Sequence, residues 1–144
     1  MEVVALVNRI TAVLDRAVKP LYQGAALTTA EVQLLVPLRH AEPPLTAARL
    51  AAHLGMSRAG VSKTLAKLEA RGLVAHTANP ADRRTALIGL TPGGEDVIDD
   101  LFPRELAAHA HLLAGLGSER AAALSTLTRL AEAMEARLGG VPAP

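Results

Sequence analysis

The sequence predicts a mostly helical fold that carries one small β-wing. Three observations lead there. Alanine and leucine number 29 and 24 of the 144 residues, and both rank at or near the top of the helix propensity scale. Aromatic residues make up only 1%, namely Tyr22 and Phe102, so a core has to be built from Leu, Val, Ile and Ala. After residue 73 the helical pattern gives way to two short strand-like runs around a charged, turn-rich stretch. The length suits one domain, and residues 1–144 are read as one.

The first element is an amphipathic helix over residues 2–18. Val3, Leu6, Val7, Ile10, Val13, Leu14 and Ala17 recur at helical spacing, with Arg9, Asp15 and Arg16 mainly on other faces. It is expected to end near Pro20. Thr28 followed by Glu31 is a capping box, and it opens a second helix through Val32, Leu34, Leu35 and Leu38. Pro37 inside that helix is expected to kink it or end it early.

After Glu42-Pro43-Pro44, Thr46 caps a short third helix that turns Leu50, Ala51 and Leu54 inward. Gly55 breaks that helix. Ser57 then caps a fourth, in which Val61, Leu65 and Leu68 form one buried stripe, and Gly72 ends it. Two helices joined by a tight glycine-containing turn are a helix-turn-helix.

Leu73–Thr77 and Thr85–Leu90 read as the two strands of a hairpin with Ala78–Arg84 as its protruding tip. Thr91 caps the next helix, with Pro92 at its first position and Glu95 and Asp96 in its first turn. This helix is expected to pass Phe102-Pro103 with a kink and reach about Leu113. Gly115 and Gly117 punctuate the chain, and Ser118 starts a last helix striped by Leu124, Leu127, Leu130, Ala131, Met134 and Leu138.

Composition narrows function before any motif does. With no cysteine, disulfides, thiolate catalysis and cysteine zinc sites are excluded. No uncharged apolar run approaches the roughly 18 residues of a membrane span, and the N-terminus lacks a signal peptide's layout, so the expectation is a cytoplasmic protein. Catalysis is not expected: no nucleophile elbow, metalloprotease motif or glycine-rich phosphate loop occurs.

The net charge of +1 hides an asymmetry along the chain. Residues 46–90 hold Arg49, Arg58, Lys63, Lys67, Arg71, Arg83 and Arg84 against Glu69 and Asp82, a local balance of +5, and the rest carries −4. Such a segment is expected to meet a polyanion. The scarcity of aromatic rings argues against base stacking on single strands, which leaves duplex DNA.

The fourth helix supplies the reading face. Its inward stripe leaves Arg58, Ala59, Ser62, Lys63, Ala66 and Lys67 outward. Small residues let a helix backbone approach the major groove while long basic ones reach bases or phosphates. The hairpin tip can deliver Arg83 or Arg84 to a narrow minor groove, and Asp82 is expected to orient one guanidinium through a bidentate pair. The expected DNA-contacting set is Arg49, Ser57, Arg58, Ser62, Lys63, Lys67, Asp82, Arg83 and Arg84.

These residues carry a resemblance. Leu45-Thr46 through Leu50-Ala51, then Met56-Ser57, Val61-Ser62, Leu68-Glu69, Gly72-Leu73-Val74, Asp82-x-Arg84 and Ile88-x-Leu90-Thr91-Pro92-x-Gly94 resemble the MarR family of bacterial winged helix-turn-helix regulators. The resemblance implies four helices, a strand-wing-strand unit and two further helices. It further implies a winged DNA-binding lobe over residues 28–90 and a two-fold homodimer held by residues 1–20 and 91–140, bound to pseudo-palindromic operators. In the wing motif Arg84 corresponds to the minor-groove arginine, Asp82 to its orienting partner and Arg83 to the variable position between them. Arg49 stands where the family usually has an acidic or polar residue, so the third helix lacks a capping box and gains a phosphate contact. Ala75 and His76 replace wing residues that are often basic, which is expected to lower affinity.

The resemblance also implies repression relieved by a small, often phenolic or carboxylate effector in an apolar cleft with a few polar groups. Arg16, Tyr22, His40 and His109 are the candidates to line it. Two alternatives remain open at this stage. One is a metal-responsive regulator of the same fold, with Glu105 and His109 at i, i+4 joined by His40 and Glu42. The other is a winged-helix module that binds only protein. No cofactor is expected.

Overall fold

A computed structural model describes residues 1–41 and 44–138. Nine regular elements follow in order: α1 (Glu2–Gly24), α2 (Thr29–His40), β1 (Leu45–Thr46), α3 (Ala47–Leu54), α4 (Arg58–Ala70), β2 (Val74–Ala78), β3 (Ala86–Leu90), α5 (Pro92–Leu113) and α6 (Arg120–Leu138). A 3₁₀ segment, Ala114–Glu119, precedes α6. The mostly helical reading with a small wing holds. The chain forms two compact units, one ending at Ala108 and the other starting at His109, so α5 begins in the first and ends in the second.

The first unit owns the core. Leu34, Leu35, Leu50, Val61 and Leu68 are completely buried, and Val18, Tyr22, Leu65, Ile88, Ile98 and Leu101 join them. Every helix of this unit and the sheet therefore contribute to one aliphatic cluster. In the second unit no residue of α6 is buried, and Leu124, Leu127, Met134 and Leu138 are exposed. At the other end of the chain, α1 exposes Val3, Leu6, Ile10 and Val13 while burying Val18 and Tyr22.

Two proline expectations are corrected. α1 does not stop near Pro20 but continues through it to Gly24, and α2 runs through Pro37 to His40. A helical proline removes one backbone hydrogen bond and crowds the preceding turn. Both helices have core residues beyond or beside the proline, Tyr22 in α1 and Leu38 in α2, and that burial outweighs the local preference. The last helix starts at Arg120 rather than Ser118, because the 3₁₀ turn, with Gly117 at a positive φ of 48°, occupies the connection.

The wing contains a strand that the sequence pattern did not suggest. β1 pairs antiparallel with β3, Leu45 opposite Ile88 and Thr46 opposite Leu87, and β3 pairs antiparallel with β2 in the register Val74–Leu90 to Ala78–Ala86. The sheet order is β1-β3-β2. This sheet anchors the wing to α3, because Thr46 ends β1 and immediately caps the helix by accepting the Arg49 N–H at 3.2 Å.

The base of the wing is locked to α5 at one glycine. The Thr91 N–H donates to the Leu73 carbonyl at 3.1 Å. The Thr91 hydroxyl donates to the Gly72 carbonyl and accepts the Gly94 N–H, capping α5. A Cβ on Gly94 would lie 2.0 Å from the Leu73 carbonyl oxygen. The Thr-Pro-x-Gly sequence is thus a packing requirement: α5 starts against the turn that leaves α4, and only glycine fits.

Candidate nucleic-acid interface

The turn between α3 and α4 fixes the presentation of α4. Gly55 takes a left-handed conformation, φ 63° and ψ 25°, that glycine adopts without strain. The Met56 N–H closes α3 onto the Ala51 carbonyl at 3.0 Å. Ser57 Oγ then accepts the Gly60 N–H at 3.0 Å, so this hydroxyl is used as the helix cap. With Val61, Leu65 and Leu68 facing the core, Arg58, Ala59, Ser62, Lys63, Ala66 and Lys67 are all exposed along the opposite face, as the spacing predicts.

The wing tip is braced by its own polar groups. Asn79 accepts the Ala81 N–H at 3.0 Å through its side-chain oxygen and donates its amide to Thr85 Oγ1 at 3.0 Å. The Thr85 hydroxyl and N–H both donate to the Asp82 carbonyl. The expected Asp82–guanidinium pair is corrected: Asp82 Oδ1 accepts the Arg84 backbone N–H at 3.0 Å, an Asx-type turn. In this turn the Arg84 N–H is the donor presented to the Asp82 carboxylate. Asp82 therefore shapes the tip, and the Arg83 and Arg84 side chains are exposed.

Charge pairing separates the basic residues into two groups. Arg71 is exposed but paired, its Nη1 lying 3.3 Å from Glu31 Oε2. Glu31 is buried, and the same oxygen accepts the Thr28 N–H at 2.9 Å in the capping box, so its charge is compensated twice. By contrast, among the described residues Arg49, Arg58, Lys63, Lys67, Arg83 and Arg84 form no ion pair. Six cations on α3, α4 and the wing are left for an external anion.

Three grooves border the wing, one of them at the tip between His76, Arg83 and Arg84; the other two reach the helices. Arg58 and Ser62 line one together with Thr46, His76 and Thr85. Arg49 and Asp82 line the other with Asn79 and Leu87. His76, which the sequence suggested only as a lost positive charge, has its Nδ1 2.9 Å from Glu69 Oε1 at the end of α4. That contact ties the first wing strand to the reading helix, and no spacing rule would have found it.

The four effector candidates do not converge through any hydrogen bond or ion pair among the described residues. Arg16 and His40 are exposed, and His109 is half-buried in the second unit. The His40 ring packs at 5.4 Å and 52° on Phe102. Tyr22 is buried, and burial followed by the neighbouring Glu105 carboxylate pushes its hydroxyl above the usual tyrosine range. Glu105 Oε2 is itself buried without a hydrogen-bond partner among the described residues. The sequence pattern groups Glu105 with His109, His40 and Glu42 and gives no sign of Tyr22. For the metal alternative, Glu42 lies outside the described residues, and among those described no three His, Asp or Glu residues cluster as a metal site would require.

Comparison with known proteins places this arrangement. A model of the MarR family matches residues 27–85. The crystal structure of a MarR-family transcriptional regulator from Silicibacter pomeroyi is 30% identical, covering 87% of this chain and 84% of that one, with a TM-score of 0.70. The chain belongs to the MarR family. A second solved structure, the transcriptional repressor CouR bound to a 23-mer DNA duplex, is 27% identical over 88% of this chain and 89% of that one, with a TM-score of 0.77. An uncharacterized HTH-type transcriptional regulator of Bacillus cereus is 33% identical over 81 residues, 56% of this chain. The chain spans about half the length of the curated relatives it matches, 52% for this one. Each of these relatives is described as a transcriptional regulator or repressor. Among the described residues no helix is long and apolar enough to cross a membrane.

Proposed function

We propose that this MarR-family chain is a cytoplasmic, homodimeric, sequence-specific regulator of transcription that binds duplex DNA and acts as a repressor released by a small-molecule effector. The observation that carries the DNA-binding part is the set of six exposed cations without ion pairs, three of them on the outward face of α4 and two at the braced wing tip. Residues 28–90 form the DNA-binding lobe in this reading. α4 enters a major groove with Arg58, Ser62, Lys63 and Lys67, and Arg84 reaches an adjacent minor groove. The likeness to CouR, a repressor bound to a DNA duplex, supports both the binding mode and the sense of regulation.

The homodimer reading is supported by the apolar stripes that α1 and α6 expose, held by residues 1–20 and 91–140. A two-fold dimer puts two reading helices on a pseudo-palindromic operator, with half-site centres about 10 base pairs apart. The effector reading is supported by Tyr22 and the buried Glu105 oxygen beside it.

Equilibrium binding to duplexes selected with the purified protein tests the proposal. Arg84→Ala should weaken binding most at operators with A·T-rich flanks, where the minor groove is narrow. Lys67→Ala should weaken all duplexes alike and reduce the salt slope by about one. Neither should lower the melting temperature, because both side chains are exposed. Mobility unaffected by duplex DNA at low salt would instead favour the protein-interaction module.

A further inference from the structure

We infer that His76 is an additional DNA-phosphate contact whose strength is set by uptake of a proton, with Glu69 holding the ring in place. The inference rests on the DNA-binding reading above and names a contact that reading does not contain. Its basis is position. The imidazole lines one groove with Arg58 and Ser62 of α4, and a second with Arg83 and Arg84 of the wing tip. It lies between the element proposed for the major groove and the element proposed for the minor groove. Adjacent grooves of a duplex are separated by a sugar-phosphate strand, so a side chain between those two elements faces phosphate.

The hydrogen bond to Glu69 decides what the ring can offer. A carboxylate only accepts, so Nδ1, 2.9 Å from Glu69 Oε1, carries the proton of the neutral ring. Nε2 is then a bare acceptor, which gains nothing from a phosphate oxygen. Protonation adds an N–H at Nε2, and the ring can donate to Glu69 and to phosphate at once. The ring is 37% exposed, so a backbone strand can reach it.

The charged groups that face the ring are Glu69 and Arg58 of α4 and Arg83 and Arg84 of the tip. From β3, the register partner is the apolar Ile88, and the α3 residues at the groove, Ala47 and Ala48, are uncharged. DNA phosphates offset the three arginines, so duplex binding and proton uptake at His76 reinforce each other. Histidine is the side chain whose charge changes between about pH 5 and 8.

The test is the affinity of the full chain for a labelled random-sequence duplex at fixed ionic strength across that range. Wild type should tighten as pH falls, by up to about tenfold per pH unit for each proton taken up. His76→Gln should lose that part of the response. At low pH the wild-type salt slope should exceed that of His76→Gln by about one per protomer, and at high pH the two should coincide. Glu69→Gln, which replaces the carboxylate that holds the ring at Nδ1, should reduce the gain in affinity at low pH. Circular dichroism melts establish that each variant is folded. Parallel pH profiles for wild type and His76→Gln overturn the assignment of His76 alone. Absence of binding by both at every pH overturns the DNA-binding reading and this assignment with it.

Discussion

Leu65 and Leu127 are the same residue on two amphipathic helices with opposite fates. Leu65 of α4 is 2% exposed, packed among Leu34, Leu50 and Ile88 in one cluster, whereas Leu127 of α6 is 47% exposed on a helix with no buried residue. α4 spends its apolar stripe on its own chain's core, and what remains outward is a polar face free for another molecule. α6 and the first turns of α1 hold apolar stripes that the described chain leaves in solvent. Burial of such surface contributes roughly 25 cal/mol per Å², so the two regions differ in where their stabilisation comes from. The first unit closes its own core, while the stripes of α6 and of the first turns of α1 remain exposed.

The largest effect that can break this comparison is one substitution made in both regions. Leu65→Ala should cost about 2–5 kcal/mol through lost transfer energy and a cavity, equally in dilute and concentrated protein. Leu127→Ala should cost little in dilute protein and progressively more as concentration rises, because a dimer is stabilised by mass action. Thermal unfolding at two concentrations, with a mass measurement on each sample, gives the answer. Equal losses at both concentrations for Leu127→Ala, or an intact monomer throughout, would remove the dimer from the explanation of these stripes.

A smaller effect sharpens the comparison within the lobe. Gly94→Ala adds one methyl group at a buried position in the first turn of α5, a change that would stabilise an ordinary helix position. Here the added Cβ meets the Leu73 carbonyl oxygen, so α5 or the β2 entrance must shift. A loss of about 1–3 kcal/mol is expected, the range for overpacking. Denaturant unfolding of Gly94→Ala measures it. A neutral or stabilised variant would mean that the Thr91–Gly94 junction is looser than its geometry indicates.

What could be read from the sequence was governed by chain separation. The caps at Thr28, Thr46, Ser57 and Thr91 each act over three residues, and the stripe Val61-Leu65-Leu68 over two turns. Each is a local rule, and each is met in the structure. β1 escaped because two residues carry no alternation, and its partners in β3 lie some forty positions away. The prolines at 20 and 37 misled because local propensity was weighed without the burial of Tyr22 and Leu38 that overrides it. In the interface, the cations and their helix face were legible. Their sorting was not, since Arg71's partner Glu31 is 40 residues distant. At Asp82 a side-chain pair is expected from the sequence, and the structure has instead a turn in which its carboxylate accepts the Arg84 N–H.

The smallest effect concerns a link between the lobe and the helix that leaves it. Arg39 at the end of α2 donates through Nε and Nη2 to the two carboxylate oxygens of Asp99 in α5, at 2.8 and 3.0 Å. The hydrogen bond from Arg39 holds the Asp99 carboxyl below its usual range, against the opposing effect of desolvation. A lowered folded-state value means that this stabilisation is fully present above the unfolded carboxylate range, near about pH 4, and is lost as pH falls through the folded value. Because the pair is solvent-exposed and screened by salt, Asp99→Asn should lower the melting temperature at neutral pH by less than Leu65→Ala or Gly94→Ala. The difference from wild type should shrink as the pH falls below about 4. Melting curves of both proteins at neutral and acid pH, in low and high salt, provide the measurement. A difference that survives acid unchanged would show that Asp99 acts through packing, and that the α2–α5 link does not depend on its charge.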